Sequence, residues 1–326
     1  MTTENLDEIA KIIRGAKSVL IVTHTFPDGD ALGSQLGLAH ILKDMGKRVL
    51  LYGEDSISYL YEFLPCCTRI DSEVPNPDEV DCAIALDCGD RFRLGKAVDK
   101  LLEIKPFIAI DHHAGHKAFG DLRWVVEGRA STGDMVYELS QYLGATVSLD
   151  AAYCLYTAIV SDTGSFKYAS TTPDTFRIAG ELVARGVNPE EVAGKLFDNF
   201  TESRLQLLQA VLSTLELYGA GQLAIISATR KMFELTGADK ADTETFINYP
   251  RSLATVKVAA LIKEVDGAIG VSMRSKGRNH DVAEVARRFN GGGHRNAAGC
   301  KFRNGETLKE VRDLIFKELL ALVENQ

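Results

Sequence analysis

"PFIAIDHHAGHKAFGD", residues 106–121, is the stretch on which the reading of the fold turns. Its first part is a short apolar run with a β-branched bias, the pattern of a buried strand. The run stops at Asp111-His112-His113, three titratable side chains in succession. A buried strand ends in such groups only where they meet a partner. Strand ends in α/β proteins open into the crevice that binds ligands.

Outward from this stretch the first half alternates. "SVLIVTH" (18–24) reads as a strand and "DALGSQLGLAHILKDMG" (30–46) as a helix with a glycine stop. "RVLLYG" (48–53), "DCAIALDCGD" (81–90) and "DLRWVV" (121–126) read as further strands. Mostly continuous apolar strands between helices imply a parallel sheet covered on both faces. Helical patterns follow at 133–143, 150–160, 174–185 and 190–198, and "MTTENLDEIAKIIRGAK" (1–17) reads as an amphipathic first helix. "TESRLQLLQAVLSTLELYGAG" (201–221) is apolar at helical spacing and reads as a linking helix.

A smaller unit comes next. It holds a strand, "QLAIISA" (222–228), and a hairpin of 254–265 and 268–275 about Asp266-Gly267. The helix "DVAEVARRF" (281–289), the loop "NGGGHRNAAG" (290–299), a short strand and a last helix at 306–323 complete it. The expectation is an α/β chain of two domains. Residues 1–198 form the larger, with a mainly parallel sheet flanked by helices, and 199–221 form a helical linker. Residues 222–326 form a smaller domain with a mixed sheet, and the active cleft lies between the two.

A chain of 326 residues suits two domains. Its 45% hydrophobic and 25% charged content is that of an ordinary soluble protein. The apolar runs are short of a membrane span and no signal-like segment opens the chain, so a cytoplasmic protein without a membrane partner is expected. Net charge is −8 and the pI about 5.5, which speaks against holding long nucleic acid by a basic field. Any phosphate ligand must be held locally. The six cysteines (Cys66, Cys67, Cys82, Cys88, Cys154, Cys300) form no C-x-x-C pair, which excludes a zinc knuckle and points to reduced thiols.

Four element ends carry similar residues: His24, Asp28 and Asp30; Asp87; Asp111-His112-His113; and Asp162. Singly, each has a structural explanation. Asp28-Gly29-Asp30 suits a turn and helix cap, Asp87 a cap, Asp162-Thr163-Gly164 a turn, and His24 a core histidine. Together they present a different problem. Carboxylates that converge in a crevice repel each other and lose water, at a cost of several kcal/mol unless cations compensate. Carboxylates with imidazoles suit divalent ions such as Mn²⁺. Two ions roughly 3.5–4 Å apart would neutralise them, activate water at neutral pH and clamp a phosphate.

These motifs resemble the DHH phosphoesterase superfamily. "HTFPDGDALGS" and the "DHH" triplet match in order, and "GGGHRNAAG" after "VSMRSKG" is similar to the DHH-associated C-terminal domain. The two-domain length looks most like the stand-alone NrnA-type subfamily. The resemblance implies hydrolysis of short RNA oligomers and of 3′-phosphoadenosine 5′-phosphate, with linear or cyclic dinucleotides as the substrates of close relatives. It implies one Mn²⁺ on His24, Asp28 and Asp87 and a second on Asp30, Asp87, His112 and Asp162. His113 would face the substrate phosphate, and Asp111 would orient an imidazole. Arg274, Gly291, Gly292, Gly293 and His294 would grip the substrate, glycine letting the backbone come close to it. Arg93 reads as an exposed loop arginine, with a phosphate contact as the other reading. His40 reads as a helix-face residue, and His116 and His280 as loop residues. A homodimer is allowed for. The competing readings are a dinucleotide phosphodiesterase, an inorganic pyrophosphatase and, outside catalysis, an inactive nucleotide sensor.

Overall fold

The computed structural model describes residues 3–66 and 69–324, so Cys67 and the first two residues of the N-terminal helix reading lie outside it. The chain divides into two compact units, Met1–Asn199 and Phe200–Gln326.

The first unit runs α1 (Thr3–Gly15), β1 (Ser18–Val22), α2 (Gly29–Asp44), β2 (Arg48–Tyr52), β3 (Cys82–Leu86), α3 (Val98–Glu103), β4 (Phe107–Asp111), β5 (Leu122–Val125), α4 (Thr132–Leu143), α5 (Leu149–Asp162), α6 (Pro173–Ala184) and α7 (Pro189–Phe197). Its five strands pair in the order β2-β1-β3-β4-β5, all parallel. Every residue of β3 and β4 is buried, as a sheet covered on both faces requires. On one face Leu20, Ala83, Phe107 and Ala109 pack under Leu94, Val98 and Leu101. On the other lies α2, buried around nearly its whole circumference between the sheet and α5.

Glycine permits that burial. A Cβ on Gly29 would stand 2.5 Å from Ser161 Oγ, on Gly33 2.5 Å from the Cys154 carbonyl, and on Gly37 2.5 Å from a Leu155 methyl. These contacts run in opposite directions along the two helices, so α2 and α5 are antiparallel. The N-terminus of α2 therefore lies beside the C-terminus of α5, and Asp28 and Asp30 come to the same end as Asp162.

The second unit runs α8 (Glu202–Leu212), β6 (Glu216–Tyr218), β7 (Leu223–Ala228), α9 (Arg230–Thr236), α10 (Asn248–Ser252), β8 (Val258–Val265), β9 (Ala268–Ser275), α11 (Val282–Arg288), β10 (Gly292–His294), β11 (Ala297–Phe302) and α12 (Leu308–Glu324). The sheet order is β10-β11-β9-β8-β7-β6, with only β7 and β8 parallel. The hairpin about Asp266-Gly267 forms as read, because both residues take positive φ (53° and 70°), which a tight two-residue turn demands.

Two segments differ from the sequence reading. Residues 201–221 are not one linking helix: α8 ends at Leu212, and β6 joins the sheet edge beside β7. Buried Arg204 of α8 donates to the Asp242 and Glu244 carbonyls, which anchors the segment inside the second unit. The glycine-rich segment 290–299 is not an irregular loop but the β10–β11 hairpin. A Cβ on Gly291 would lie 2.1 Å from the Gly299 carbonyl, and one on Gly293 2.4 Å from the Ala297 carbonyl. Those two glycines are required by the approach of one strand to the other. Gly292 faces open space. Among the described residues no helix is long and apolar enough to cross a membrane.

The glycine stripe gives a stability test. Gly33→Ala should cost about 1–3 kcal/mol, because the backbone of α5 cannot rotate out of the way. Gly180→Ala and Gly194→Ala, on helices with open space at the site, should be neutral or stabilising by up to ~1 kcal/mol. Urea denaturation of the three variants checks the contrast, and equal shifts would contradict the packing described.

Candidate metal centre

In the strand order 2-1-3-4-5 the chain leaves β1 toward one side of the sheet and β3 toward the other. A crevice opens between their C-terminal ends. His24 follows β1 and Asp87 follows β3, so the topology itself brings the two together. His24 Nε2 lies 3.6 Å from Asp87 Oδ2. Asp87 is buried and takes a left-handed backbone (φ 56°), uncommon for a residue with a side chain and characteristic of functional sites.

The other candidate ligands arrive from helix ends. Asp28 caps α2, accepting from the Asp30 and Ala31 amides at 3.1 Å. The cap reading therefore holds for this residue, and the same carboxylate lies near His24 and Asp87. Asp30 is buried and accepts from the Thr132 and Gly133 amides (2.7 and 3.0 Å) and from Ser34 Oγ (3.0 Å). The first turn of α4 therefore points its free N–H groups at this carboxylate, as helix N-termini do for anions. Thr132 Oγ1 donates to Asp87 at 3.1 Å. Asp162 is the last residue of α5.

The two histidines after β4 divide their roles by their Nδ1 partners. His112 Nδ1 donates to the Arg129 carbonyl at 3.0 Å. Its Nε2 then faces Asp87 at 3.4 Å, Asp30 at 3.5 Å and Asp162 at 3.6 Å. His113 Nδ1 donates to Asp111 Oδ1 at 2.7 Å, which is the orienting role expected of Asp111. That bond leaves Nε2 as the ring nitrogen opposite the Asp111 contact. Arg129 was not singled out in the sequence. Its guanidinium donates to Asp134 (2.8 Å) and Glu138 (2.6 Å), which holds the carbonyl that orients His112. No motif marks it, because the group that acts is a backbone oxygen.

The electrostatics show what the cluster lacks. Burial pushes the Asp30 carboxyl well up, and the nearby Asp87 charge adds to the rise. Burial likewise raises Asp162, to about 6. Burial opposes a charge on His112, yet its bond to Asp87 and the charges of Asp162 and Asp30 raise it well above the ordinary range. Burial alone would raise Asp87, but the bonds to His112 and His24 outweigh it and hold it ionised. Without a cation, this site must take up protons instead.

The ligand atoms of His24, Asp28 and Asp87 all lie within 4.8 Å of one another, as do those of Asp30, Asp87 and His112. His112 Nε2 stands 3.4–3.6 Å from three carboxylates at once, a convergence that suits an ion. The donor set of buried carboxylates and lone-pair imidazole nitrogens suits a divalent metal. Of the remaining candidates, Arg93 is exposed, with its guanidinium 2.9 Å from His24 Nδ1. His40 lies on α2, His116 stacks on Phe119, and His280 is buried with its carbonyl accepting from Ser275. In the second unit, Arg274 of β9 pairs with Ala297 of β11, which pairs with His294 of β10. Paired residues share a face, so Arg274 and His294 flank Ala297 on one side of the sheet.

A family model described as the DHH family, N-terminal domain, matches residues 18–159, and one described as the DHHA1 domain matches 229–321. The chain is 32% identical to the Thermus thermophilus bifunctional oligoribonuclease and PAP phosphatase NrnA, across 96% of this chain and 93% of that one. The chain belongs to the DHH family. The Bacillus subtilis member of the same description is 29% identical across 90% and 92% of the two chains. Among solved DHH-type structures, an exopolyphosphatase-related protein from Bacteroides fragilis superposes with a TM-score of 0.89 at 28% identity, covering 99% of this chain and 98% of that one. RecJ from Thermus thermophilus shares the fold at a TM-score of 0.59 and 15% identity, with 55% of its length matched.

The pKa directions give a test on metal-free protein. A group with a raised folded pKa contributes stability at low pH and loses it as pH rises to the folded value. Asp162, raised from 3.8 to about 6, and His112, raised from its ordinary value, both act in this sense. Between about pH 5 and pH 8 chelator-treated protein should lose thermal stability through these groups, and added metal should restore it with proton release. Asp162→Asn should flatten the Tm-against-pH slope. An unchanged slope in that variant would contradict the raised pKa of Asp162.

Proposed function

We propose that the chain is a manganese-dependent phosphoesterase of short oligoribonucleotides and of 3′-phosphoadenosine 5′-phosphate. The observation that carries this reading is the sharing of Asp87 between clusters. Besides lying with Asp111 and His113, it belongs to the His24–Asp28–Asp87 group and to the Asp30–Asp87–His112 group, and these two suit two ions with Asp87 between them. His24, Asp28 and Asp87 would hold one ion, and Asp30, Asp87, His112 and Asp162 the other. When bound, such ions supply charge neutralisation for a phosphoryl group and a water acidic enough to attack at neutral pH. Mixed imidazole and carboxylate donors favour Mn²⁺ over Mg²⁺.

The chain's own groups supply the rest. Asp111 fixes the His113 ring through Nδ1, and His113 is proposed to hold the substrate phosphate and move a proton toward the leaving oxygen. The substrate class is supported by relatives described as oligoribonuclease and PAP phosphatase. Arg274, His294 and the Gly291–Gly293 backbone are proposed to hold a substrate group away from the scissile bond. Arg274 suits a charge-assisted contact to phosphate. The complete set of ligands argues against an inactive sensor.

Chelator-treated full-length protein should regain more activity with Mn²⁺ than with Mg²⁺, and Asp87→Asn should abolish turnover while weakening both metal equivalents. Calorimetric titration and a substrate panel (linear dinucleotides, very short RNA, 3′-phosphoadenosine 5′-phosphate, cyclic dinucleotides, pyrophosphate, long RNA) test this. Turnover of pyrophosphate alone would overturn the substrate class, and two intact metal sites in Asp87→Asn would overturn the shared ligand. Arg274→Ala should lower kcat/KM for dinucleotides about ten- to a hundredfold. Hydrolysis of bis-p-nitrophenyl phosphate and metal affinity should be unchanged. Equal loss on both substrates would remove Arg274 from the substrate grip.

A further inference from the structure

Two large apolar side chains stand exposed on the loops that bear the metal-site groups. Phe26, between His24 and Asp28, is 60% exposed, and Phe92, beside Arg93, is 67% exposed. The loops run side by side: the Thr25 amide donates to the Arg93 carbonyl at 2.7 Å, and the Arg93 guanidinium reaches His24. Neither ring contributes to the core of the unit. Phe26 also sits at φ 54°, a conformation disfavoured for a bulky residue, with its amide held by the Asp55 carboxylate at 2.8 Å. Folding alone would favour glycine or asparagine at such a position. A strained, exposed aromatic two residues from a metal ligand points to use rather than to packing. Over the Phe92 ring lies the Arg91 guanidinium, 4.8 Å from its centre, a flat cationic layer on a flat ring. Exposed aromatic faces with arginines, next to a phosphate-handling centre, are the surfaces on which unpaired bases stack.

We propose that Phe26 and Phe92 form a stacking rim for the nucleobases of the oligonucleotide whose phosphate the metal centre cleaves. The assignment rests on the phosphoesterase reading above and adds to it a recognition element in the first unit. Stacking requires a base but no particular hydrogen-bond pattern, so the rim accepts any sequence and favours purines, whose larger faces overlap more of the ring. It also separates base-bearing substrates from pyrophosphate and from sugar-phosphates of equal charge.

The test uses full-length Mn²⁺-loaded protein and two matched substrates, a 5′-phosphorylated diadenosine dinucleotide and its abasic counterpart with the same sugar-phosphate chain. Phe26→Ala and Phe92→Ala should each raise KM for the adenine substrate about tenfold. On the abasic substrate the variants should match the wild type. Phe26→Tyr should restore the adenine KM. A dinucleotide carrying 2-aminopurine should lose fluorescence on binding the wild type and keep it with the double variant. Phe26→Gly relieves the backbone and should melt no lower than the wild type while showing the same KM defect, which separates recognition from folding. Adenine and abasic substrates affected equally, or unaffected, in the Phe variants would overturn the rim while leaving the phosphoesterase reading intact. Failure of the wild type to cleave either dinucleotide would overturn both.

Discussion

One buried carboxylate, Asp87, faces three imidazoles with other acidic groups crowded about it. His24, His112 and His113 all lie within 3.6 Å of it, and Asp30 and Asp162 crowd the same volume. Charge of this density is unstable unless something positive enters. That requirement explains the rest of the first unit. The sheet order opens a crevice at the ends of β1 and β3, the first turn of α4 turns its amides onto Asp30, and the Nδ1 of His112 is tied back to a carbonyl. Each feature lowers the cost of keeping anions together.

Backbone proximity makes the convergence possible. The Gly29–Gly33–Gly37 stripe lets α2 lie directly on α5, and without it Asp30 and Asp162 would be separated by the thickness of a side-chain layer. The same helix is buried nearly all round, so it has little freedom to adjust. A second layer, Arg129 with Asp134 and Glu138, fixes His112 from outside. Removing such outer supports from metal ligands typically costs ten- to a hundredfold in affinity.

Much of this was legible before any coordinates. The apolar run that ends in Asp111-His112-His113 disclosed both a buried strand and the place where titratable groups gather, because a strand covered on both faces has little other use for three of them. Asp266-Gly267 disclosed its hairpin through the φ values that the turn needs. Other features left no trace. Residues 290–299 looked like a loop because glycines carry no periodicity, and only the approach of β10 to β11 shows why Gly291 and Gly293 are there. The stretch 201–221 looked like one helix because β6 is a three-residue edge strand with no alternation to read. Arg129 was silent because a carbonyl acts there, and a carbonyl leaves no mark on residue type. Asp28 was ambiguous between cap and ligand because a carboxylate that caps α2 through one oxygen also lies near His24 and Asp87.

The ligand positions also bear on how the chain would respond to metal as a polymer. His24 and Asp162 lie at opposite ends of most of the first unit's sequence, with Asp87 between them. A pair of ions sharing Asp87 would act as a reversible cross-link joining three distant points of the chain. Closing such long loops lowers the entropy of the unfolded ensemble only if the ions remain attached there. If they leave on unfolding, their whole binding free energy is added to the folded state. In either case, where such ions bind, their concentration would govern how long the first unit stays folded, and depletion would expose the chain to proteases as well as slow it.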